Sequence, residues 1–251
     1  MPFQSYGATL NAPVLYEVAC TACKSLPTED SATSGTPSIN LNALVPIVFS
    51  AAAIEAFLNE LPGFLSRFPE LLHRDPSQVA DYVKKGNALI NERGSCGSTQ
   101  NKYVVAHSIL SGRDCVKSDA AYEHFELLFA ARDGLLHAKS ISFSGEADPS
   151  DGRLDIEMPE RLLGRFRSLN ILNNSPHSFP IPGAGAPGTT PDLQTVAPIA
   201  WILQIANHKA ACWACKTAAD VVDGIVSIVP EGPHKDDLST TYKCFRRMSS
   251  G

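Results

Sequence analysis

The chain has 251 residues, of which 44% are hydrophobic and 19% are charged, and its formal net charge is −5. This composition provides enough apolar residues for the core of one large domain, and the negative balance argues against a broad basic surface for duplex DNA. The first residues lack the charged and apolar segments of a secretory signal. Seven cysteines, an odd number, favour free thiols in a reducing cytoplasm, so we expect a cytoplasmic protein.

Apolar residues at helical spacing predict an all-α fold that begins with two helices. The first is expected from about Asn11 to Pro27. The second is expected from Asn42 to Leu61, with Pro46 tolerated in its first turn and the sequence LPG ending it. The longest strongly apolar run, 43–54, is shorter than the roughly 20 residues that a membrane-spanning helix needs, so no membrane contact is expected.

The central part of the chain is predicted to be helical, with one change of period. Short helices are expected at 64–73 and 77–92, and a longer one from Asp119 to Lys139. The segments SISFSGE and GRLDIEM then alternate apolar and polar residues, which predicts a small β-hairpin at 140–158. A further helix is expected at 159–172.

The last third is predicted to be one helix after a linker. Residues 173–191 are rich in proline and glycine and are interpreted as a linker or long loop. One long helix is expected from Thr195 to Val229, followed by a frayed tail. We therefore divide the chain into a helical domain at 1–172 and a C-terminal helix and tail at 192–251 that pack on the same domain.

Two C-x-x-C pairs, Cys20 with Cys23 and Cys212 with Cys215, raise the question of a four-thiolate zinc site. Neither pair has the turn-forming residues that usually accompany such a site, and no βαβ pattern suggests a thioredoxin-like one. Cys212 and Cys215 instead share a helical stripe with His208, where a thiol packs as a small apolar group. We expect reduced, metal-free cysteines, and no metal or other cofactor.

Arg132 lies at the centre of an apolar stripe, where an unpaired guanidinium would cost several kcal/mol. The second predicted helix offers a partner, because its apolar stripe leads directly into Glu55 and Asn59. We predict that Glu55 pairs with Arg132 and that Asn59 is a neighbouring hydrogen-bond partner. A purely structural ion pair is the alternative. His137 lies on a flank shared with Asp133, where a nearby carboxylate would let it titrate near neutral pH.

The sequence RDGLLH at 132–137 resembles the R-x4–6-H signature of HEPN domains, in which a polar residue follows the arginine. The sequence AAAIEAFLNELP at 51–62 is similar to the upstream HEPN helix that carries an inward acidic residue. Two features depart from the family pattern: His137 is followed by Ala-Lys and not by the frequent glycine, and no tyrosine stands two residues after it. The second departure argues against the subgroup whose tyrosine is modified by a nucleotidyltransferase.

The resemblance implies a helical bundle that dimerises, and a metal-independent ribonuclease of a toxin–antitoxin, antiphage or RNA-processing system. Arg132 would bind the scissile phosphate, His137 would transfer the proton, and Asp133 would orient the histidine or the RNA substrate. A non-catalytic HEPN-like module that binds a protein, RNA or nucleotide is the alternative. Further phosphate contacts are assigned to three arginines, which could equally form a solvated face: Arg161, Arg165 and Arg167.

Overall fold

The computed structural model describes residues 10–27, 40–65, 97–113, 115, 119–136, 157–172 and 202–246. Most of the predicted helices at 64–73 and 77–92, the predicted hairpin up to residue 156, and the Pro/Gly-rich segment at 173–191 lie outside these residues. His137 also lies outside them.

The described residues form helices and no β-strand, which confirms the predicted all-α character for this part of the chain. A short 3-10 turn at Leu41–Ala43 precedes the second helix. The helices are α1 (Asn11–Lys24), α2 (Leu44–Leu65), α3 (Gly97–Ser111), α4 (Ala120–Leu136), α5 (Glu157–Ser168), α6 (His208–Ser227), α7 (Pro233–Thr241) and α8 (Lys243–Arg246).

The core forms where α2 and α6 pack against each other and against α1 and α4. Phe57 of α2 and Phe125 and Phe129 of α4 are fully buried in it. The stretch Leu41–Leu65 is also long and apolar enough to cross a membrane, with a mean hydropathy of 1.9, but half of that window is buried inside the fold. By length and composition alone, the core helix of a globular protein has the same properties.

Glu60 of α2 caps the start of α1. Its Oε1 accepts hydrogen bonds from the backbone N–H groups of Asn11 at 2.6 Å and Ala12 at 3.1 Å. The first N–H groups of a helix have no partner within that helix. A carboxylate placed there also interacts favourably with the positive end of the helix dipole. Glu60 Oε2 accepts a further bond from Tyr242 Oη at 2.9 Å, so one carboxylate joins α1, α2 and the C-terminal segment.

The predicted end of α2 at Leu61 is wrong, because the helix continues through Pro62 to Leu65. A proline inside a helix removes one backbone hydrogen bond and costs about 3 kcal/mol. Leu61 and Leu65 are both buried, at 1% and 4% exposure. The burial of these two side chains offsets the proline, which is why the local signal alone gives the wrong boundary.

The helix α3 is not predicted from the sequence. It begins at Gly97, inside the sequence GSCGS, whose glycines disfavour a helix locally. Its buried side chains are Thr99, Tyr103, Ala106, Ser108, Ile109 and Leu110. Because polar and apolar residues alternate irregularly along this stretch, the apolar face is visible only once its packing partners are known.

The single long helix predicted from Thr195 to Val229 is also wrong over its described part. Residues 202–205 are helical, the helix is interrupted at Ala206 and Asn207, and α6 begins at His208. Asn207 causes the restart, because its side chain accepts a hydrogen bond from Ala210 N at 2.9 Å. The same side chain donates to the carbonyl of Ile171 at 2.9 Å and thereby fixes the preceding segment.

The tail is not frayed between residues 233 and 246, where it forms α7 and α8. Phe245 is fully buried and its ring stacks on Tyr16 of α1 with centroids 4.1 Å apart. Tyr242 meets Phe57 edge to face at 4.8 Å. These aromatic contacts with Tyr16 and Phe57 supply the apolar burial that orders a short C-terminal segment.

Candidate functional site

Arg132 lies near the end of α4, where its guanidinium contacts two carboxylates. Nη1 donates to Glu55 Oε2 of α2 at 2.8 Å, which confirms the predicted contact between these two helices. Nε donates to Asp133 Oδ1 at 2.9 Å, and Nη2 lies 2.7 Å from the same oxygen. In the sequence, Arg132 and Glu55 each put a charge on the apolar stripe of a predicted helix, which is unfavourable for an unpaired group. The structure pairs the two charges with each other.

The environment of the guanidinium fixes its orientation. Its carbon lies 4.5 Å from the centroid of the Phe129 ring, one turn earlier on the same helix, in a cation–π contact. The side chain of Arg132 is 15% exposed, whereas that of Glu55 is 42% exposed. The contacts to Glu55 and Asp133 use one N–H on each nitrogen, so each Nη carries a second N–H that these carboxylates do not use.

Asp133 contacts Arg132, and Asn59 has a partner other than the expected Arg132. Asp133, which we expect to orient His137 or substrate, binds Arg132 in the structure. Asn59, expected beside Arg132, is exposed, and its Oδ1 accepts a hydrogen bond from Lys102 Nζ of α3 at 2.6 Å. The site among the described residues is therefore the cluster of Glu55, Arg132 and Asp133, and His137 follows it one residue beyond the described end of α4.

The three arginines expected to contact RNA are only partly accounted for. Arg165 Nη2 donates to the backbone carbonyl of Glu123 at 2.9 Å and so links α5 to α4. Arg167 is exposed, and the side chain of Arg161 lies outside the described part. Of the two described side chains, Arg165 thus has a structural contact and Arg167 is exposed.

A second cluster joins the two C-x-x-C pairs across α1 and α6. Cys23 Sγ lies 3.3 Å from Cys212 Sγ. The Cys212 sulfur lies 3.5 Å from Nε2 and 3.7 Å from Nδ1 of His208. Cys20 shares a side-chain hydrogen bond with Cys215, which also accepts a bond from Ser50 Oγ of α2 at 3.8 Å. The two pairs, of which only Cys212 and Cys215 are predicted to lie on a helical stripe, contact each other across α1 and α6.

The contacts within this thiol cluster change the acidity of its members in opposite directions. Hydrogen bonds from Cys212 and Cys215 lower the pKa of Cys23 to about 3, against the opposing effect of burial. A hydrogen bond with Cys215 lowers the pKa of Cys20 to about 7. The pKa of Cys212 and that of Cys215 are raised, chiefly by hydrogen bonding to Cys23 and to Cys20 respectively. These contacts therefore favour ionisation of Cys23 over ionisation of Cys212 or Cys215.

The sequence contains part of the signal for this convergence. Each pair has its cysteines three residues apart, which places both thiols on one face of a helix. The sequence does not indicate that α1 packs against α6. Cys23 and Cys212, which meet there, are 189 positions apart. The comparisons with known proteins give no guidance on either cluster, since no protein-family model, curated protein or solved structure matches this chain.

Proposed function

We propose that the chain is a metal-independent endoribonuclease of HEPN type that cleaves single-stranded RNA by attack of the RNA 2′-hydroxyl. The observation that supports this proposal is the oriented guanidinium of Arg132, held between Glu55 and Asp133 at the end of α4 that leads to His137. An arginine with two N–H groups in one plane is suited to bidentate binding of a phosphate. His137 supplies the proton transfer, and the nucleophile belongs to the substrate.

The charges of the cluster determine how phosphate would bind. Arg132 with Glu55 and Asp133 carries a formal net charge of −1, which repels an anion. Glu55, with 42% of its side chain exposed, can rotate towards solvent more easily than Asp133, whose side chain is 14% exposed. Phosphate would then replace Glu55 on Nη1, while Asp133 keeps the guanidinium oriented.

A homodimer is part of the proposal because it would add positive charge to the cleft. Two copies of α4 placed side by side would direct two Arg132 side chains at one phosphate and reduce the repulsion from the carboxylates. We place this RNA-cleaving dimer in the cytoplasm, with an antitoxin or defence protein as its regulatory partner. A dimer mass in light scattering at tens of micromolar supports this arrangement, and a monomer contradicts it.

The same cluster also supports a second candidate, a non-catalytic helical module. Two carboxylates and a phenyl ring already satisfy much of the guanidinium, as in a structural ion pair. In that case the motif would stabilise the junction of α2 and α4, and the module would bind a protein, RNA or nucleotide partner without turnover.

RNA cleavage in the presence of EDTA distinguishes the two candidates. The chain is incubated with mixed single-stranded RNA beside His137→Ala and beside His124→Ala, which removes an imidazole from the same helix. General acid–base catalysis contributes about 10²–10⁴-fold, so His137→Ala should lose at least that much while His124→Ala retains activity. The upstream product should carry a 2′,3′-cyclic phosphate, and DNA should remain intact because it lacks the 2′-hydroxyl.

The outcomes have distinct meanings. Equal cleavage by the parent chain and by His137→Ala would show that a contaminant is responsible. No cleavage of varied RNAs by any folded sample would favour the binding module. Circular dichroism in the assay buffer establishes that each sample is folded, so that loss of structure in chelator is not mistaken for loss of chemistry.

A further inference from the structure

The thiol cluster between α1 and α6 contains three groups of the kind that bind soft or borderline metal ions. The sulfur atoms of Cys23 and Cys212 and a ring nitrogen of His208 all lie within 4.8 Å of one another. Cys23 is buried, and His208 and Cys212 are half-buried. The three therefore face a common point that has partial access to solvent.

Two of the distances are slightly shorter than those between ligands of one ion. Zinc with thiolate at about 2.3 Å and imidazole at about 2.0–2.1 Å places tetrahedral ligands about 3.6–3.8 Å apart. Cys23 Sγ and Cys212 Sγ are 3.3 Å apart, and Cys212 Sγ is 3.5 Å from His208 Nε2. A disulfide would require about 2.05 Å between the sulfurs, so both cysteines are thiols in this arrangement.

We propose that Cys23, His208 and Cys212 form a zinc site that links α1 to α6, with water in the fourth position. This proposal replaces the sequence-based expectation of metal-free thiols, which rested on the absence of turn residues beside each pair and did not include the meeting of the two pairs. The site is independent of the proposed ribonuclease chemistry, because none of its ligands belongs to the Arg132 cluster.

The other two cysteines are not assigned as ligands. Cys215 is hydrogen-bonded to Cys23, but its sulfur is not within 4.8 Å of all three ligand atoms, and it lies seven residues after His208, about 10.5 Å along the helix axis. Cys215 accepts a hydrogen bond from Ser50 Oγ at 3.8 Å, and Cys20 is hydrogen-bonded to Cys215 and to Tyr16. These contacts support the two thiols on the inner side of the site.

The ligand set explains what zinc would contribute to the fold. Cys23 and Cys212 are 189 positions apart, so an ion between them closes a very long loop. If zinc binds the folded chain and not the unfolded chain, it stabilises the fold as its concentration rises above the dissociation constant. We therefore expect the melting temperature of the full chain to rise with zinc and to fall again when a chelator removes the metal.

Metal titration of the reduced, metal-stripped chain tests the assignment. Elemental analysis after addition of zinc and desalting should give one zinc per chain. Co²⁺ should produce the absorption of a tetrahedral ion with two thiolate ligands, a measurement that needs no variant. Cys23→Ser and Cys212→Ser should abolish binding, and His208→Ala should lower the affinity by at least about tenfold. Cys20→Ser and Cys215→Ser are the matched controls and should retain one zinc.

Three results would overturn the proposal. The first is a folded wild-type chain that holds no stoichiometric zinc. The second is retention of zinc by His208→Ala together with its loss in Cys20→Ser or Cys215→Ser, with a Co²⁺ spectrum of four thiolates. The third is a chain purified without reductant that has lost two hydrogens, binds no metal and yields a peptide cross-linked through Cys23 and Cys212, which would identify their contact as a disulfide. RNA cleavage is measured separately, so failure of either proposal leaves the other testable.

Discussion

Removing the charge of Arg132 should destabilise the fold much more than removing the charge of either carboxylate. The comparison uses Arg132→Gln, Glu55→Gln and Asp133→Asn, which retain polar side chains of similar shape. In the parent chain the guanidinium faces both carboxylates, so loss of one carboxylate leaves the cation with the other. Loss of the cation leaves two carboxylates facing each other.

The expected loss in the free energy of unfolding depends on how exposed each side chain is. Glu55 is 42% exposed, so solvent screens its interaction with Arg132, and we expect Glu55→Gln to cost about 0.5–1 kcal/mol. Asp133 and Arg132 are 14% and 15% exposed. Breaking a fully buried pair costs about 3–5 kcal/mol, and this partly buried one should cost about 2–3 kcal/mol when Arg132 is removed. Asp133→Asn should fall between these two values.

Urea unfolding monitored by circular dichroism measures these differences. If the slope of the unfolding free energy against urea concentration is the same for all four proteins, the shifts in midpoint report changes in stability. The double variant Glu55→Gln/Arg132→Gln should cost less than the sum of the single changes, since it removes the repulsion between carboxylates. The reasoning fails if Glu55→Gln costs as much as Arg132→Gln, or if every single change costs less than about 0.5 kcal/mol.

Three other predictions concern the fold. Phe245→Ala should cost about 3–5 kcal/mol in urea unfolding, because the ring is fully buried against Tyr16, and an unchanged midpoint would contradict the docking of α8. Asn207→Ala should cost about 1–2 kcal/mol through loss of the cap on α6, and Asn207→Asp should not restore this stability, because it keeps the acceptor but turns a buried carboxylate oxygen towards the carbonyl of Ile171. Burial raises the pKa of Tyr103 and of Tyr122 to about 12, so these phenols stay protonated in the folded chain while the unfolded chain loses protons above about pH 10. Stability should therefore fall between pH 10 and 12 by up to about 1.4 kcal/mol per pH unit for each tyrosine, and Tyr103→Phe should reduce that slope.

The contact between Glu55 and Arg132 was predictable because it follows from a local rule. A charged residue on an apolar stripe needs a partner, and only a few such residues are present in the predicted helices. The helix boundaries were less predictable where tertiary contacts outweigh local preference. Burial of Leu61 and Leu65 continues α2 through a proline, and the hydrogen bond from Asn207 to Ile171 fixes a break that the apolar spacing does not indicate.

The thiol cluster was not predictable as a unit, because its two halves are far apart in sequence. Each C-x-x-C pair is visible alone, but the orientation that brings Cys23 to Cys212 depends on how α1 and α6 pack around α2. That α7 and α8 are folded also depends on contacts with residues far away in the sequence. Phe245 reads as one aromatic residue in a charged tail until Tyr16 is placed opposite it.

The stacking of Tyr16 on Phe245 has a consequence for the order in which the chain folds during synthesis. Helices α1 and α2 pack closely and can associate early, but Phe245, which stacks on Tyr16 of α1, is translated after α2, α4 and α6. At roughly 5–20 residues per second, Tyr16 leaves the ribosome about 10 to 45 s before Phe245. During that interval Tyr16, Cys20 and Cys23 form an incomplete apolar surface on the nascent chain. The apolar side of α1 is therefore completed only after α6 and α8 have been translated.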